Sequence, residues 1–199
     1  QAALIEAMEE KQVTVDGTTY QLSFPLFVAA TQNPVEQEGT YKLPEAQLDR
    51  FIFKLDVKYP ALEEEAAILT RFAGDFDLSQ IEEVEQVFNV DDLRRAMAAI
   101  REVHIREELI TYIASIVNDT PINKEIFLGA STRASLSMLR ASKTNAAING
   151  RSFVTPDDIR DVAYPVLNHR IILSPEREIE GVEVREVIEN IIQRIEVPR

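Results

Sequence analysis

Pro25-Leu26-Phe27-Val28-Ala29-Ala30-Thr31-Gln32-Asn33-Pro34 is the stretch on which the fold class turns. Residues 26–31 form a continuous apolar run rather than an alternating one, and a proline bounds it on each side. Such a run predicts a strand buried on both faces, as in a parallel sheet covered by helices. Upstream, Val13-Thr14-Val15 and Thr19-Tyr20-Gln21-Leu22 alternate and are joined through Asp16-Gly17, two residues that tolerate positive φ, so a hairpin is expected. Before the hairpin, Ala2, Ala3, Leu4, Ile5, Ala7 and Met8 give an amphipathic helical pattern. It begins without an initiator Met, a cap or a signal peptide, and reads as a piece cut from a longer chain. Downstream come a polar loop containing Gly39, a short helix begun near Pro44, and Phe51-Ile52-Phe53-Lys54-Leu55-Asp56-Val57 as another strand candidate. Strand, helix and strand in this order predict the edge of a parallel α/β sheet.

Beyond Pro60 no strand pattern is evident, and the periodicity becomes helical over 61–72, 91–103, 107–117, 132–149 and 156–167. Thr155-Pro156-Asp157-Asp158 is a strong helix start, with a capping Thr, Pro at the first helical position and two acids facing the positive end of the dipole. Val184, Val187, Ile188, Ile191, Ile192 and Ile195 form one stripe of a docking helix. A boundary near residues 58–60 is expected, with residues 1–58 as the end of an α/β core and residues 59–199 as an all-helical domain. There are no internal repeats.

The composition is that of a soluble globular protein: 199 residues, 45% apolar and 28% charged, with neither Cys nor Trp. The net charge of −13 argues against nonspecific binding to nucleic acid or to an anionic membrane, both of which require a basic field. No apolar run is long enough to cross a bilayer, and a cytoplasmic protein without membrane insertion is expected. The charge is uneven: residues 61–99 carry ten acids against three bases, whereas residues 126–175 carry six bases against three acids. An anionic ligand would prefer the second stretch, although a solvated acidic face accounts for the asymmetry equally well.

Several chemistries are excluded. A phosphate-cradling loop needs glycines a few residues apart, but the six glycines lie at 17, 39, 74, 129, 150 and 181. With no Cys, and with His104 and His169 far apart on expected helices, neither a metal site nor a histidine-based triad is expected.

Three polar signals remain. Asn33, with Pro34 after it, stands beyond the carboxyl end of the expected strand, where open α/β sheets gather ligands; Asn-Pro is equally an ordinary turn. Arg50 closes Leu43-Pro44-Glu45-Ala46-Gln47-Leu48-Asp49-Arg50-Phe51, where compensation of the helix dipole by about 0.3–1 kcal/mol already explains a cation. Arg133 in Gly129-Ala130-Ser131-Thr132-Arg133 is different, because a cation in the first turn behind a Ser131 cap opposes the dipole. It needs an anionic partner, either intramolecular, with Asp157 and Glu125 as candidates, or a bound ligand.

These signals, in this order, resemble the MoxR family of AAA+ ATPases. The resemblance is carried by Leu4-Ile5-Glu6-Ala7-Met8-Glu9-Glu10, by Ala30-Thr31-Gln32-Asn33-Pro34-Val35-Glu36-Gln37-Glu38-Gly39-Thr40-Tyr41, by residues 43–51 and by Leu128-Gly129-Ala130-Ser131-Thr132-Arg133-Ala134. It continues through Gly150-Arg151-Ser152-Phe153-Val154-Thr155-Pro156-Asp157-Asp158 and Val166-Leu167-Asn168-His169-Arg170, and so covers essentially the whole chain. The resemblance implies the AAA+ P-loop NTPase fold, with Asn33 as sensor 1, Arg50 as the arginine finger reaching the nucleotide of a neighbouring subunit, and Arg133 as sensor 2 contacting the nucleotide of its own subunit. The residue types suit these tasks: an amide donates and accepts at once, and a guanidinium offers phosphate a planar, permanently charged fork.

The sequence departs from the family pattern at Lys42 and Thr132, where Pro is usual, and at Pro121, where Arg is common. By resemblance the Walker A and Walker B segments belong upstream, so these residues alone are expected not to hydrolyse ATP. The parent protein is expected to use ATP and Mg²⁺ in a homo-oligomeric ring, a hexamer, for chaperone-like remodelling of clients, with a von Willebrand factor A domain protein as partner. A nonenzymatic helical interaction module and a related AAA+ machine such as a chelatase subunit are the alternatives.

Overall fold

The computed structural model describes residues 2–32, 44–73 and 84–198. Helix α1 (Ala2–Glu10) passes through Lys11, at φ 55°, into an antiparallel hairpin of β1 (Gln12–Val15) and β2 (Thr18–Gln21). Asp16 and Gly17 take φ values of 50° and 77°, the left-handed turn the sequence predicts. Glu6 ties the hairpin to α1, its carboxylate accepting from the Thr14 backbone N–H at 3.0 Å and the Thr14 hydroxyl at 2.6 Å. Those two bonds hold the Glu6 carboxyl below its ordinary pKa, the hydroxyl first.

The two expected core strands are not formed. Residues 26–31 run without strand pairing, and Phe27 is 88% exposed. A strand buried on both faces needs neighbours to take its backbone groups and cover its side chains, and among the described residues no strand pairs with it. Residues 53–60 are likewise irregular, because main-chain carbonyls of residues 51, 52 and 54 are taken by a helical side-chain cluster described below. Between these segments lies the short α2 (Glu45–Leu48), following Pro44 as expected.

The helical expectations are met by α3 (Leu62–Arg71), α4 (Val90–Glu102), α5 (Glu107–Asp119), α6 (Thr132–Ile148) and α7 (Pro156–Leu167). In α3 the Glu64 carboxylate accepts the Ala61 N–H at 2.8 Å, and in α4 the Asn89 side chain accepts from the N–H groups of Asp91 and Asp92, both at 2.9 Å. A short α8 (Pro175–Ile179) precedes the stripe helix α9 (Val184–Arg194). The core is a helix pack in which α5 contributes Leu109, Ile113 and Ile116, α6 contributes Ala134, Met138 and Ala141, α7 contributes Ile159, Val162 and Val166, and α9 contributes Val187, Ile188 and Ile191. The small residues of α6 let it lie closely along α7.

Two local expectations need correcting. A small antiparallel pair, β3 (Ile126–Leu128) and β4 (Ile172–Leu173), does occur after Pro60; strands of three and two residues are too short to show alternation. His104 is not helical either: it bridges to Phe153, donating its N–H to the Ser152 carbonyl at 2.8 Å and accepting from Val154 at 2.9 Å.

The start of α7 runs through Asp158, whose side chain is 1% exposed. Its carboxylate accepts from the Thr155 N–H at 2.8 Å, from the Thr155 hydroxyl at 2.9 Å, from both Arg151 terminal nitrogens at 2.6 Å and from the Asn145 amide at 3.0 Å. Because a buried hydrogen-bonded charge is costly to lose, Asp158→Asn is expected to lower the unfolding free energy by about 2 kcal/mol, read from a shifted denaturant midpoint.

Candidate phosphate-facing site

Four elements converge on one charged cluster. The end of α1 supplies Glu9, the turn after α2 supplies Asp49 and Arg50, the start of α6 supplies Ser131 and Arg133, and the turn after α7 supplies His169, expected on a helix, and Arg170. Ser131 caps α6 as the sequence predicts, accepting the Arg133 N–H at 3.2 Å. Its hydroxyl donates in turn to Asp49 Oδ2 at 2.9 Å.

Arg133 finds an intramolecular acid, but neither of the two expected. Asp157 is paired with Arg160 and Glu125 with Arg177. Arg133 instead places Nη2 3.0 Å from Glu9 Oε1, with Nη1 3.8 Å from Asp49 Oδ2. The same Glu9 oxygen forms an ion pair with Arg50 Nη1. Two guanidiniums from opposite ends of the sequence therefore share one partly exposed carboxylate. Arg50 Nε is buried without an acceptor, so the Glu9 pairing leaves part of this guanidinium unmatched.

Behind this cluster, residues 49–56 are strapped to the end of α7. Tyr164 donates to Asp56 Oδ2 at 2.6 Å, Asn168 to the Lys54 carbonyl at 3.1 Å, and the Lys54 N–H to the Pro165 carbonyl at 2.9 Å. His169 Nε2 meets the Phe51 carbonyl at 3.0 Å, a contact that requires its hydrogen on Nε2. Burial, reinforced by the neighbouring Arg170 and Lys54 charges and only partly offset by the Phe51 carbonyl and Asp49, pushes His169 down to about 4. The imidazole is neutral at pH 7 in the fold and protonates more readily once unfolded. Stability contributed by this group is complete above pH 6.5 and is lost as pH falls toward about 4. Denaturant midpoints measured across that window are expected to fall, with a smaller decline in His169→Gln.

The comparisons with known proteins bear on the family of the chain. Residues 1–53 match the ATPase family associated with various cellular activities (AAA), and residues 118–191 match the AAA lid domain. The uncharacterized protein YeaC of Bacillus subtilis is 42% identical over 100% of this chain and 61% of its own length. The chaperone MoxR1 of Mycobacterium tuberculosis is 34% identical over 100% of this chain and 54% of its own. The chain belongs to the MoxR family of AAA+ ATPases. A crystal structure of a "putative ATPase" from Cytophaga hutchinsonii superposes with a TM-score of 0.88 at 42% identity, covering 100% of this chain and 62% of that one. The chain thus spans little more than half the length of the curated relatives it matches.

Within this MoxR chain the expected site residues fare differently. Arg50 and Arg133 are brought onto one carboxylate, whereas Asn33 lies outside the described residues. Glu9, Asp49 and Arg170 were not singled out by sequence reasoning. All three lie in the stretches that carry the family resemblance, but as isolated acids and bases at helix ends they read as ordinary surface charge.

The arginine pair suits a nucleotide's phosphates. The unmatched Arg50 Nε and the sharing of one partly exposed carboxylate by two guanidiniums leave positive charge available to a polyanion. Magnesium has no equivalent here: no group of three or more His, Cys, Asp or Glu side chains capable of holding a metal occurs among the described residues. Among those residues, too, no helix is long and apolar enough to cross a membrane.

Proposed function

We propose that this chain is the C-terminal portion of a MoxR-type ATPase, with residues 1–58 completing the AAA+ core and residues 59–199 forming the lid. The observation that carries the reading is the meeting of Arg50 and Arg133 on Glu9. Two permanent cations held side by side on one carboxylate, with Arg50 Nε unmatched, form a receptor for a group of high negative charge. Bound Mg²⁺–ATP supplies the labile phosphoanhydride and the metal that screens it, from a cradle upstream of this sequence. Arg50 serves as the arginine finger, stabilising charge on the transferred phosphoryl group, and Arg133 as the sensor 2 arginine that orients it. Asn33 is the sensor 1 amide that orients the attacking water.

Since both arginines front one anion position, the geometry favours a shared target over the division the resemblance implies, in which Arg133 serves its own subunit. We therefore assign both to the triphosphate of a neighbouring subunit in a homo-oligomeric ring, taken as a hexamer. ATP turnover would drive chaperone-like remodelling of client proteins, with a von Willebrand factor A domain protein as a partner. The name of the relative MoxR1, a chaperone, supports that direction. Residues 1–199 alone would not hydrolyse ATP.

The test is subunit mixing in the full-length protein. Arg50→Ala and Arg133→Ala are each expected to be impaired in ATP hydrolysis, and a mixture of the two to stay impaired, because every subunit then offers its neighbour a defective pair. Recovery on mixing would place Arg133 in its own subunit's site and overturn the shared target.

A further inference from the structure

Arg170 has a side chain only 2% exposed, yet it reaches no anion site. Its environment is built around residues on either side of Arg50. Nε donates to Asp49 Oδ1 at 2.8 Å, Nη2 to the Asp49 carbonyl at 2.8 Å and the Phe51 carbonyl at 2.6 Å, and Nη1 to the Ile52 carbonyl at 3.2 Å and to the Val166 carbonyl. The chain from 49 to 52 is therefore folded around one buried cation. All three guanidinium nitrogens are used, in a planar arrangement that a lysine cannot reproduce. Asp49 faces the other way as well: its Oδ2 accepts from Ser131, the cap of α6, and lies 3.8 Å from Arg133. A single carboxylate thus connects the end of α7, the start of α6 and the turn that carries Arg50.

We propose that Arg170 is the positioning residue for Arg50, and that the Asp49–Arg170 unit holds the Arg50 turn in register with the start of α6, so that Arg50 and Arg133 are presented together. The inference rests on the reading of Arg50 as the finger. Arg170 touches no phosphate; it acts by fixing the backbone from which Arg50 extends, and a misplacement of about 1 Å at such a group costs up to about 10²-fold in rate.

The experiment is steady-state ATP hydrolysis by the full-length protein carrying Arg170→Lys, Arg50→Ala or both. Arg170→Lys keeps the charge and removes the planar fork. It is expected to lower kcat by roughly 10- to 100-fold with KM for ATP unchanged, and to slow the Arg50→Ala background no further. That lack of additivity separates positioning of Arg50 from general loosening of the lid, which would slow both backgrounds. Wild-type kcat in Arg170→Lys, a further loss in the double variant, or a change confined to KM overturns the inference while leaving Arg50 as the finger. Wild-type kcat in Arg50→Ala overturns the reading beneath it as well. Should Arg170→Lys fail to assemble on gel filtration, Asp49→Asn, which removes the charge opposite Nε and keeps the shape, takes its place under the same criteria.

Discussion

On the proposed reading of Arg50 as an arginine finger, Arg50→Ala in the full-length protein is expected to lower kcat for ATP hydrolysis by at least about 10³-fold, because such a group contributes chiefly by neutralising charge that develops in the transition state. Nucleotide affinity is expected to change much less, since the proposal leaves the ground-state phosphates to other parts of the full-length protein. The effect of an alanine here goes beyond simple charge loss. Arg50 Nε is buried without a hydrogen-bond acceptor and Nη1 has only the Glu9 oxygen it shares with Arg133, so its own chain satisfies the residue in part. Such a group gains little stability for the fold, and thermal unfolding of the variant should therefore lie close to wild type. Mixing Arg50→Ala with a variant lacking the Walker lysine should restore turnover at the interfaces where an intact cradle faces an intact finger. Uniform loss without such rescue would count against action across a subunit boundary.

Gly129→Ala is expected to cost about 3 kcal/mol of stability, the upper end of the ordinary range for overpacking, because the clash here cannot be relieved by a side chain. A Cβ at this position would lie 2.5 Å from the Pro121 nitrogen, 2.7 Å from Pro121 Cα and 2.8 Å from the Thr120 carbonyl carbon. All three are backbone atoms, so no rotamer change makes room. Thr120 is itself fully buried, donating its hydroxyl to the Val117 carbonyl at 2.7 Å and accepting the Ala130 N–H at 2.8 Å. Forcing the two segments apart breaks the second of these bonds and displaces the chain just before Ser131 and Arg133. Denaturant unfolding should report the stability loss, and nucleotide binding by the full-length protein should weaken with it. A wild-type unfolding midpoint would mean that the backbone shifts at no cost.

The helices were legible because each is long enough to display its period and some carry their own start signals; Ser131 and residues 155–158 mark two of them. The hairpin was legible through Asp16-Gly17, whose positive φ values the residue types demand. The run at 26–31 and the segment at 51–57 misled, because a strand is a relation between segments, and hydrophobicity along one of them cannot report whether a partner is present. The short β3–β4 pair escaped notice for the opposite reason, having too few residues to show a pattern. In the site, the dipole argument at Arg133 correctly demanded a nearby acid, since a cation in a first helical turn is locally unfavourable. Which acid it would be depended on contacts more than a hundred residues apart, between α1 and α6. Arg170 was invisible for a similar reason: a cation after a helix end is locally favourable and so calls for no explanation, while its burial is decided by the distant loop that wraps it.

Glu9 makes anion capture an exchange instead of an addition. Whatever settles between Arg50 and Arg133 must outcompete a tethered carboxylate that is already at hand, so a singly charged visitor gains nothing over the incumbent. Only a species offering more charge, or more oxygens in a compact volume, improves on it. If the pair takes the phosphates as proposed, the arrangement sets a threshold that chloride and simple carboxylates would not pass, with no steric barrier needed, and the two cations would stay mutually shielded until something of higher valence arrives.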